Sequence, residues 1–248
     1  MANKEPKVRV QNLTKKFGDL LVLDNLNFEV EEGEFLCIVG PTGCGKTTFL
    51  NSMTRLYEPT AGDILVNGIP VDPKKHNISY IFQEYSSFPW LTVEQNIRFG
   101  LEIKKTPKAE ADANVEEMLD IVGLTKFRNY YPSQLSISML QRVAIARAFA
   151  TKPELLLMDE PYGQLDIDLR FKLEDELIKL WKKTGTTVLF ITHNIEEAVY
   201  LSQKIMVLTN KPTSVKTVLD NPLPLPRDVV SQEFVDLRNK VTDLIKWW

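Results

Sequence analysis

The stretch Gly40-Pro-Thr-Gly-Cys-Gly-Lys-Thr47 decides the fold of this chain. It matches the pattern G-x-x-x-x-G-K-[ST] in full, after an apolar run at 35–39 and before a predicted helix that starts near Lys46. The glycines let the backbone curl so that successive N–H groups face phosphate oxygens, and the helix N-terminus adds a favourable partial charge. Lys46 would place its charge against the β- and γ-phosphates, and Thr47 would offer its hydroxyl to Mg²⁺. The alternative is a glycine-rich turn that matches the pattern by chance. Such a turn would not have to lie between a strand and a helix, so the context favours a nucleotide phosphate site.

Apolar and β-branched runs around this loop predict an α/β fold. Predicted strands cover residues 8–13, 26–30, 35–39, 64–66, 78–82, 155–158 and 188–191, and Asn67-Gly68 signals a hairpin turn. Predicted helices begin near Lys46, at the Thr92-x-x-Gln95 capping box and at Pro107, and cover 138–150 and 168–184, with Gly123 and Gly185 as stops. The strand pattern therefore brackets an all-helical insert at about residues 84–150.

Two carboxylates end one of these strands, in the segment Leu155-Leu-Leu-Met-Asp-Glu160. Asp159 is placed to hold Mg²⁺ directly or through water, and Glu160 is placed to orient or deprotonate an attacking water. Two surface acids after a core strand are the alternative, which the phosphate loop disfavours because open α/β sheets bind ligands at the carboxyl ends of their strands. His193 follows the strand at 188–191 and would lie at the same edge, although spacing alone favours a structural histidine. His76, in a lysine-rich turn, is expected to be solvated.

Composition and charge exclude several function classes. The 248 residues carry 30 Lys and Arg against 33 Asp and Glu, so the near-neutral chain has no global electrostatic reason to bind nucleic acid. No apolar run approaches the roughly 18–20 residues that span a bilayer, and residues 1–17 lack the apolar core of a signal peptide. Cys37 and Cys44 make no disulfide framework or metal-ligand set. We therefore expect a soluble, intracellular, globular protein.

Together these motifs resemble the nucleotide-binding subunit of ATP-binding cassette (ABC) transporters, nearly end to end. The segments that carry the resemblance are residues 40–48, 135–142, 159–161 and 165–166, together with Gln83 and His193. The resemblance implies that the catalytic residues are Glu160, His193, Gln83 and Lys46. His193 would be the γ-phosphate switch, and Gln83 would reach Mg²⁺ and the attacking water. Asp166, after Leu165, would lie at the dimer seam between two ATP sites.

The resemblance also implies two sets of ligand-binding residues. The implied metal ligands are Thr47, Gln83 and Asp159. The implied nucleotide-binding residues are Phe17, Gly40, Pro41, Thr42, Gly43, Cys44, Gly45, Lys46, Thr47 and Thr48. Phe17 stands where the family usually has Tyr and would stack on adenine; a core phenylalanine beside the Gly18-Asp19 turn is the alternative. Cys44 lies near a helix N-terminus and Lys46, which can lower a thiol pKa, but a small loop residue is the favoured interpretation.

The implied fold is a P-loop NTPase, an α/β fold with a RecA-like core sheet, an antiparallel β subdomain and an inserted all-helical subdomain. We expect the core in two parts, 1–83 and 151–215, the helical subdomain with the signature motif at 84–150, and a C-terminal extension at 216–248. The implied ligands are ATP and Mg²⁺. The implied partners are a second cassette, integral membrane permease subunits and, through the permease, an extracytoplasmic substrate-binding protein. The chain would sit on the inner face of the cell membrane and bind no nucleic acid.

Within the family, the chain looks like the nitrate/sulfonate/taurine import group. The resembling segments are 82–84 with 89–96, 192–198 and 223–227. This likeness implies an ATP-hydrolysing subunit of an importer for a small anionic or organic solute. A soluble ABC protein of DNA repair or translation is disfavoured, because the chain has no long coiled coil, tandem cassette or basic face.

The chain departs from the family at the signature motif, usually Leu-Ser-Gly-Gly-Gln or -Met, which here reads Leu135-Ser136-Ile137-Ser138-Met139. In the family this motif contacts the γ-phosphate held by the partner subunit. We expect Ile137 to resist a positive φ and to crowd the phosphate. The hypothesis is an asymmetric unit: a heterodimer with a paralogue that has an intact signature, or a slowly working homodimer. A regulatory cassette that seldom hydrolyses ATP is the alternative. A second departure is Asn194, where the import group usually has Asp.

The C-terminal extension contains two recognisable parts. The alternating prolines of Asn221-Pro-Leu-Pro-Leu-Pro226 predict an extended segment. Apolar residues at helical spacing follow: Phe234, Leu237, Val241, Leu244, Ile245 and Trp248. They predict an amphipathic helix that packs on its own domain, with a dimer or permease contact as the alternative. Trp247-Trp248 could touch lipid headgroups.

Overall fold

The computed structural model describes residues 5–84, 86–163 and 165–245. The chain forms two compact units. The first runs from the N-terminus to His76 and from Thr187 to the C-terminus, and the second runs from Asn77 to Thr186.

The first unit contains an antiparallel sheet of the strands β1 Val8–Phe17, β2 Leu20–Val30, β4 Ala61–Val66 and β5 Ile69–Pro70. Their order in the sheet is β2-β1-β4-β5. Strands β1 and β2 extend beyond the predicted 8–13 and 26–30 and form a hairpin around Gly18, with irregular register at several points. The predicted turn at Asn67-Gly68 is confirmed between β4 and β5. This sheet is the predicted antiparallel β subdomain.

A second sheet of this unit carries the phosphate loop. Its central strand β3, Phe35–Val39, is buried throughout and pairs in parallel with β8, Thr187–Ile191, and β9, Lys204–Leu208. Strand β10, Val215–Asp220, runs antiparallel to β9 at the edge. The parallel register of β3 and β8 brings their carboxyl ends to one edge of the sheet. The helices of the unit are α1 Lys46–Met53, α6 Ile195–Leu201 and α7 Gln232–Ile245.

The second unit combines a parallel strand pair with helices. Its strands are β6 Ile78–Ile81 and β7 Leu155–Asp159, and its helices are α2 Val93–Ile103, α3 Lys108–Ile121, α4 Ile137–Ala150 and α5 Ile167–Thr184. Short 3₁₀ turns cover Thr125–Phe127 and Pro132–Gln134. The capping box of Thr92 and Gln95 is confirmed, and α2 packs on α3 and α4. The observed elements confirm the predicted fold class, whereas the predicted domain limits at 83/84 and 150/151 stay predictions.

The C-terminal extension packs on its own unit. Helix α7 buries Phe234 and Val241 against α6 and β9, which confirms the favoured interpretation of this amphipathic segment. Residues 221–226 form neither helix nor strand, as the alternating prolines predicted. Trp247-Trp248 lie outside the described residues. Among the helices described, none combines the length and the apolar character that crossing a bilayer would need.

Candidate functional site

The phosphate loop connects β3 to α1, and its backbone requires glycine. Gly43 has φ +74° and Gly45, the residue before α1, has φ +119°. A Cβ atom on Gly45 would lie 2.9 Å from Val22 Cγ1 and 3.1 Å from Leu23 Cδ2, two buried side chains of β2. Glycine is therefore needed at Gly45 for its backbone angle and for space.

Lys46 is held inside this loop. Its ammonium group donates hydrogen bonds to the carbonyl oxygens of Gly40 and Pro41, each at 3.0 Å, and the side chain is buried. Thr42 and Thr47 are exposed and Thr48 is half-buried. A buried cation at the mouth of a curled loop and the N-terminus of a helix suits a multiply charged phosphate group.

Cys44 is a packed residue of the loop, only 2% exposed. Burial raises the pKa of its thiol, and the nearby charge of Lys46 offsets only part of that effect. Its carbonyl oxygen accepts a hydrogen bond from the Thr213 hydroxyl. The idea of an activated thiol is therefore wrong, and the interpretation as a small loop residue is confirmed.

Phe17 is 41% exposed at the end of β1. Its ring meets Tyr57 edge-on with centroids 5.2 Å apart, and the ammonium of Lys15 lies 4.8 Å from its centroid. The alternative of a core phenylalanine is wrong, because the ring lies at the surface just before the Gly18-Asp19 turn. The stacking role of Phe17 on adenine stays a prediction.

His193 lies at the same sheet edge as the phosphate loop, one residue beyond Thr192 and before α6. The Thr192 hydroxyl accepts from the Asn194 N–H at 2.9 Å. The Asn194 side chain in turn accepts from the N–H groups of Glu196 and Glu197 at 3.0 and 3.3 Å and caps α6. Asparagine thus makes the cap that an aspartate would make here, so this departure from the family pattern leaves the backbone around His193 fixed.

In the second unit, Asp159 ends β7 and is only 5% exposed. The Tyr80 hydroxyl of β6 donates to Asp159 Oδ2 at 3.3 Å. Burial, and then the charge of Asp159, raise the pKa of Tyr80, so the phenol stays protonated and remains a donor. Tyr80 was missed by the sequence analysis. Neither strand segment alone indicates this contact, because it depends on the parallel register of β6 and β7.

Glu160 has an unusual backbone for a residue other than glycine, with φ +46°. This left-handed conformation costs an L-residue about 1–2 kcal/mol, and such strain clusters at functional sites. Gln83 is exposed just beyond β6. Both follow strand ends in this unit, as predicted, and their catalytic roles stay predictions.

Asp166 has a local structural role. Its Oδ1 accepts the Leu169 N–H at 2.9 Å and caps α5. The residue is also exposed, which a dimer contact would require. Its place at a dimer seam stays a prediction.

The altered signature forms the start of α4. Ser136 caps the helix by accepting the Met139 N–H at 3.4 Å, and its hydroxyl lies 3.0 Å from that of Ser138. Ile137 is the first helical residue and is 49% exposed. The backbone at Ile137 is right-handed helix in this structure, and the expected conflict at the partner subunit's phosphate stays a prediction. The exposed side chain of Ile137 could still crowd a phosphate by its volume. Leu135, before the helix, has an extended backbone.

His76 was expected to be solvated and is instead buried. Its Nδ1 accepts the Asp72 N–H at 3.0 Å and closes a turn, which draws the ring inward. The prediction failed because solvent exposure of a turn residue depends on that hydrogen bond, which residue type alone does not indicate.

The donor set fits Mg²⁺. The candidate ligands Thr47, Gln83 and Asp159 supply hydroxyl, amide and carboxylate oxygen, the hard donors that this ion prefers. The described residues contain no cluster of three or more His, Cys, Asp or Glu side chains suited to a metal. Mg²⁺ bound largely through substrate phosphates needs no such cluster.

The strand–loop–helix phosphate site and the mixed sheet define a P-loop nucleotide-binding protein. A family model described as ABC transporter matches residues 23–163. The chain belongs to the ABC transporter family, as an ATP-binding cassette and an ATPase of that family.

Relatives of nearly full length support this membership. The chain is 45% identical over 244 residues to an uncharacterised ABC transporter ATP-binding protein of Methanocaldococcus jannaschii, covering 97% of this chain and 91% of that protein. It is 42% identical over 228 residues to the aliphatic sulfonates import ATP-binding protein SsuB of Bacillus cereus, covering 92% and 90%.

Solved structures share the fold. One is a dimeric ATP-binding cassette in a post-hydrolysis state bound to ADP and Pi, with TM-score 0.75 and 33% identity over 86% of this chain and 98% of that one. Another is cbiO1 of Clostridium perfringens, part of the complex cbiONQ, with TM-score 0.81 and coverage of 97% and 98%. At 24% identity the second likeness shows the fold alone.

Proposed function

We propose that this chain is the ATP-hydrolysing subunit of an importer for a small anionic or organic solute, of the nitrate, sulfonate or taurine kind. The observation that carries the proposal is the buried ammonium of Lys46 between two loop carbonyls at the head of α1. The kinship with an aliphatic sulfonates import ATP-binding protein supports the solute class. The transported molecule itself would be selected by the permease and the binding protein.

In this proposal the phosphate loop holds the triphosphate of ATP. The ammonium of Lys46 exchanges its two carbonyl partners for β- and γ-phosphate oxygens, and loop N–H groups supply further donors. Phe17 stacks on the adenine ring. Thr47, Asp159 and Gln83 would hold Mg²⁺, which would offset negative charge on the phosphates.

Hydrolysis would depend on carboxylate and imidazole side chains at strand ends. Glu160 orients a water molecule for in-line attack and accepts its proton, and His193 donates to the γ-phosphate. The strained backbone of Glu160 and the doubly anchored backbone around His193 support roles that require fixed side-chain directions.

The test is steady-state ATP turnover and ATP binding by purified protein. Glu160→Gln should keep ATP binding and lose turnover, because the amide cannot accept the proton. Glu110→Gln, on the exposed face of α3, is the matched control and should keep both. Near-full turnover by Glu160→Gln would contradict the catalytic role of Glu160.

We further propose that two cassettes pair, and that the second unit docks on a membrane permease at the inner face of the membrane, with a substrate-binding protein outside. A groove of about 420 Å³ beside Gln83 is lined in part by Phe82, Phe88, Phe99 and Ile103. Phe82 and Ile103 are exposed there. An apolar groove of this kind suits a short helix of a permease.

Copurification with the permease encoded in the same genome tests the docking. Ile103→Asp should prevent copurification while leaving ATP turnover of the isolated chain unchanged, because the charge alters only the groove. Retained copurification would contradict docking at this groove.

A second candidate function is a slowly hydrolysing or regulatory cassette of an asymmetric pair. The observation that favours it is the exposed Ile137 side chain at the start of α4, where the family has glycine. The double variant Ile137→Gly/Ser138→Gly should raise homodimer turnover, whereas Ile69→Gly, which removes an equally exposed isoleucine, should not. Equal turnover by wild type and the double variant would contradict asymmetry.

A further inference from the structure

Arg227, at the end of the proline-rich segment, is a buried cation. The side chain is 7% exposed, and its two terminal nitrogens donate to the carbonyl oxygens of Tyr200 at 2.6 Å and Ser202 at 2.7 Å. Burial lowers the pKa of Arg227 to about 10, so the guanidinium is still charged at neutral pH. A buried charge is retained only where its contacts offset the loss of hydration, and here the contacts are backbone carbonyls at a helix end.

Asn221 completes the arrangement. Its amide donates to the carbonyl oxygens of Val199 at 2.8 Å and Ser202 at 2.9 Å. Asn221 and Arg227, which we name the tail clamp, thus bind the carbonyl oxygens of Val199 and Tyr200 in the last turn of α6 and of Ser202, its C-cap. The positive charge of Arg227 also complements the negative end of the helix dipole.

The other end of α6 follows His193 directly: Asn194 is the N-cap and Ile195 is the first helical residue. Helix α6 has seven residues, so it is a rod of about 10 Å at 1.5 Å per residue. Asn194 caps its first turn, and the helix packs on β3, the strand that leads into the phosphate loop. Because a helix of about two turns is rigid, we expect it to move as one body. A displacement at Ser202 would then also displace His193 at the other end.

We propose that Arg227 is a positioning residue for ATP hydrolysis: with Asn221 it holds the carboxyl end of α6 and through this helix fixes His193. The inference rests on the proposed role of His193 at the γ-phosphate. It assigns the proline-rich tail, which follows the last strand of the core, a part in turnover as well as in packing.

The central experiment is a double-mutant cycle on ATP turnover. Arg227→Gln keeps a polar side chain but cannot bridge both carbonyls, and it should lower kcat about tenfold, since misplacement by a fraction of an ångström is costly in catalysis. The KM for ATP should change less than about twofold, because the phosphate loop is untouched. In a His193→Ala background, Arg227→Gln should cause no further loss.

Hydrogen exchange gives a readout that is independent of catalysis. Amides of residues 195–202 should exchange faster in Arg227→Gln, with little change elsewhere, and Arg227→Lys, which keeps the charge and one hydrogen bond, should be intermediate in both assays. Lys240→Gln, an exposed cation of α7, is the matched control and should behave as wild type.

The outcomes separate the two levels of the proposal. Full turnover by His193→Ala alone would contradict the proposed function of that residue. Unchanged exchange of α6 in Arg227→Gln would overturn the tail clamp, whatever His193 does. An equal loss of kcat from Arg227→Gln in the wild-type and His193→Ala backgrounds would overturn positioning through His193.

Discussion

Replacing Gly45 with alanine should damage the phosphate loop in two ways at once. The residue has φ +119°, outside the region that L-residues occupy readily. Its new Cβ would lie 2.9 Å from Val22 Cγ1 and 3.1 Å from Leu23 Cδ2, both in the packed β2 strand. Neither neighbour is the end of a long flexible side chain, so the loop itself must shift.

The expected cost follows from these two contributions. A left-handed backbone costs an L-residue about 1–2 kcal/mol, and overpacking of a filled core costs about 1–3 kcal/mol. Gly45→Ala should therefore lower the free energy of unfolding by about 2–5 kcal/mol. The loop of the variant can relieve part of this strain by shifting away from its native conformation. If the shift relieves about 1.4 kcal/mol, ATP has to restore the native conformation at that cost, and its affinity falls about tenfold.

The assay is urea denaturation followed by circular dichroism, with ATP affinity measured by calorimetry on the folded protein. Gly18→Ala is the matched control for stability, because Gly18 has φ +56° in the same unit and its Cβ would meet nothing within 4 Å. Gly18→Ala should lower the free energy of unfolding only by the backbone contribution, about 1–2 kcal/mol. Equal destabilisation by the two variants would refute the reasoning from crowding.

Three further predictions concern the half-buried Tyr80 and three buried side chains. Tyr80→Phe removes the hydrogen bond to the buried Asp159 carboxylate and should lower the free energy of unfolding by about 1–2 kcal/mol in urea titrations; an unchanged midpoint would contradict that contact. Because burial raises the pKa of Cys44, and Cys37 is also buried, iodoacetamide at pH 7.5 should label both far more slowly than free cysteine, equally with and without ATP. Rapid labelling of native protein would show that the loop thiol is not packed. Phe234→Ala should lower the free energy of unfolding by about 3–5 kcal/mol, because this side chain of α7 is fully buried against α6 and β9, and a loss below about 1 kcal/mol in thermal unfolding would contradict that packing.

The parts of the fold that were predicted correctly are those in which neighbouring residues decide the structure. The strand, the loop and the helix around Lys46 follow one another without interruption, so their order alone identifies the phosphate site. The capping box at Thr92 and the left-handed stops at Gly123 and Gly185 are local in the same sense. Each depends on contacts within about four residues of sequence.

The contacts that were missed join distant parts of the chain. Tyr80 and Asp159 meet because β6 and β7 pair in parallel, and that register cannot be seen in either segment alone. Strands β9 and β10 and helix α6 had no prediction, and Arg227 reaches Tyr200 of α6 across 27 residues of sequence. Cys44 is likewise buried in a loop whose backbone bonds the distant Thr213, whereas the burial of His76 accompanies a hydrogen bond to Asp72 within its own turn that residue type alone does not indicate.

Ile137 shows how the structure changes the reason for a hypothesis. The backbone at this position is ordinary right-handed helix, so glycine is not needed here for a positive φ. Glycine at this position would present the same backbone N–H groups at the helix end, with that of Met139 capped by Ser136. What differs from the family is the branched side chain that stands beside them, half-exposed. If asymmetry is real, its cause is therefore volume, and Ile137→Ala should restore turnover nearly as well as Ile137→Gly. Recovery with glycine but not with alanine would instead show that the signature adopts a left-handed backbone when it meets the phosphate.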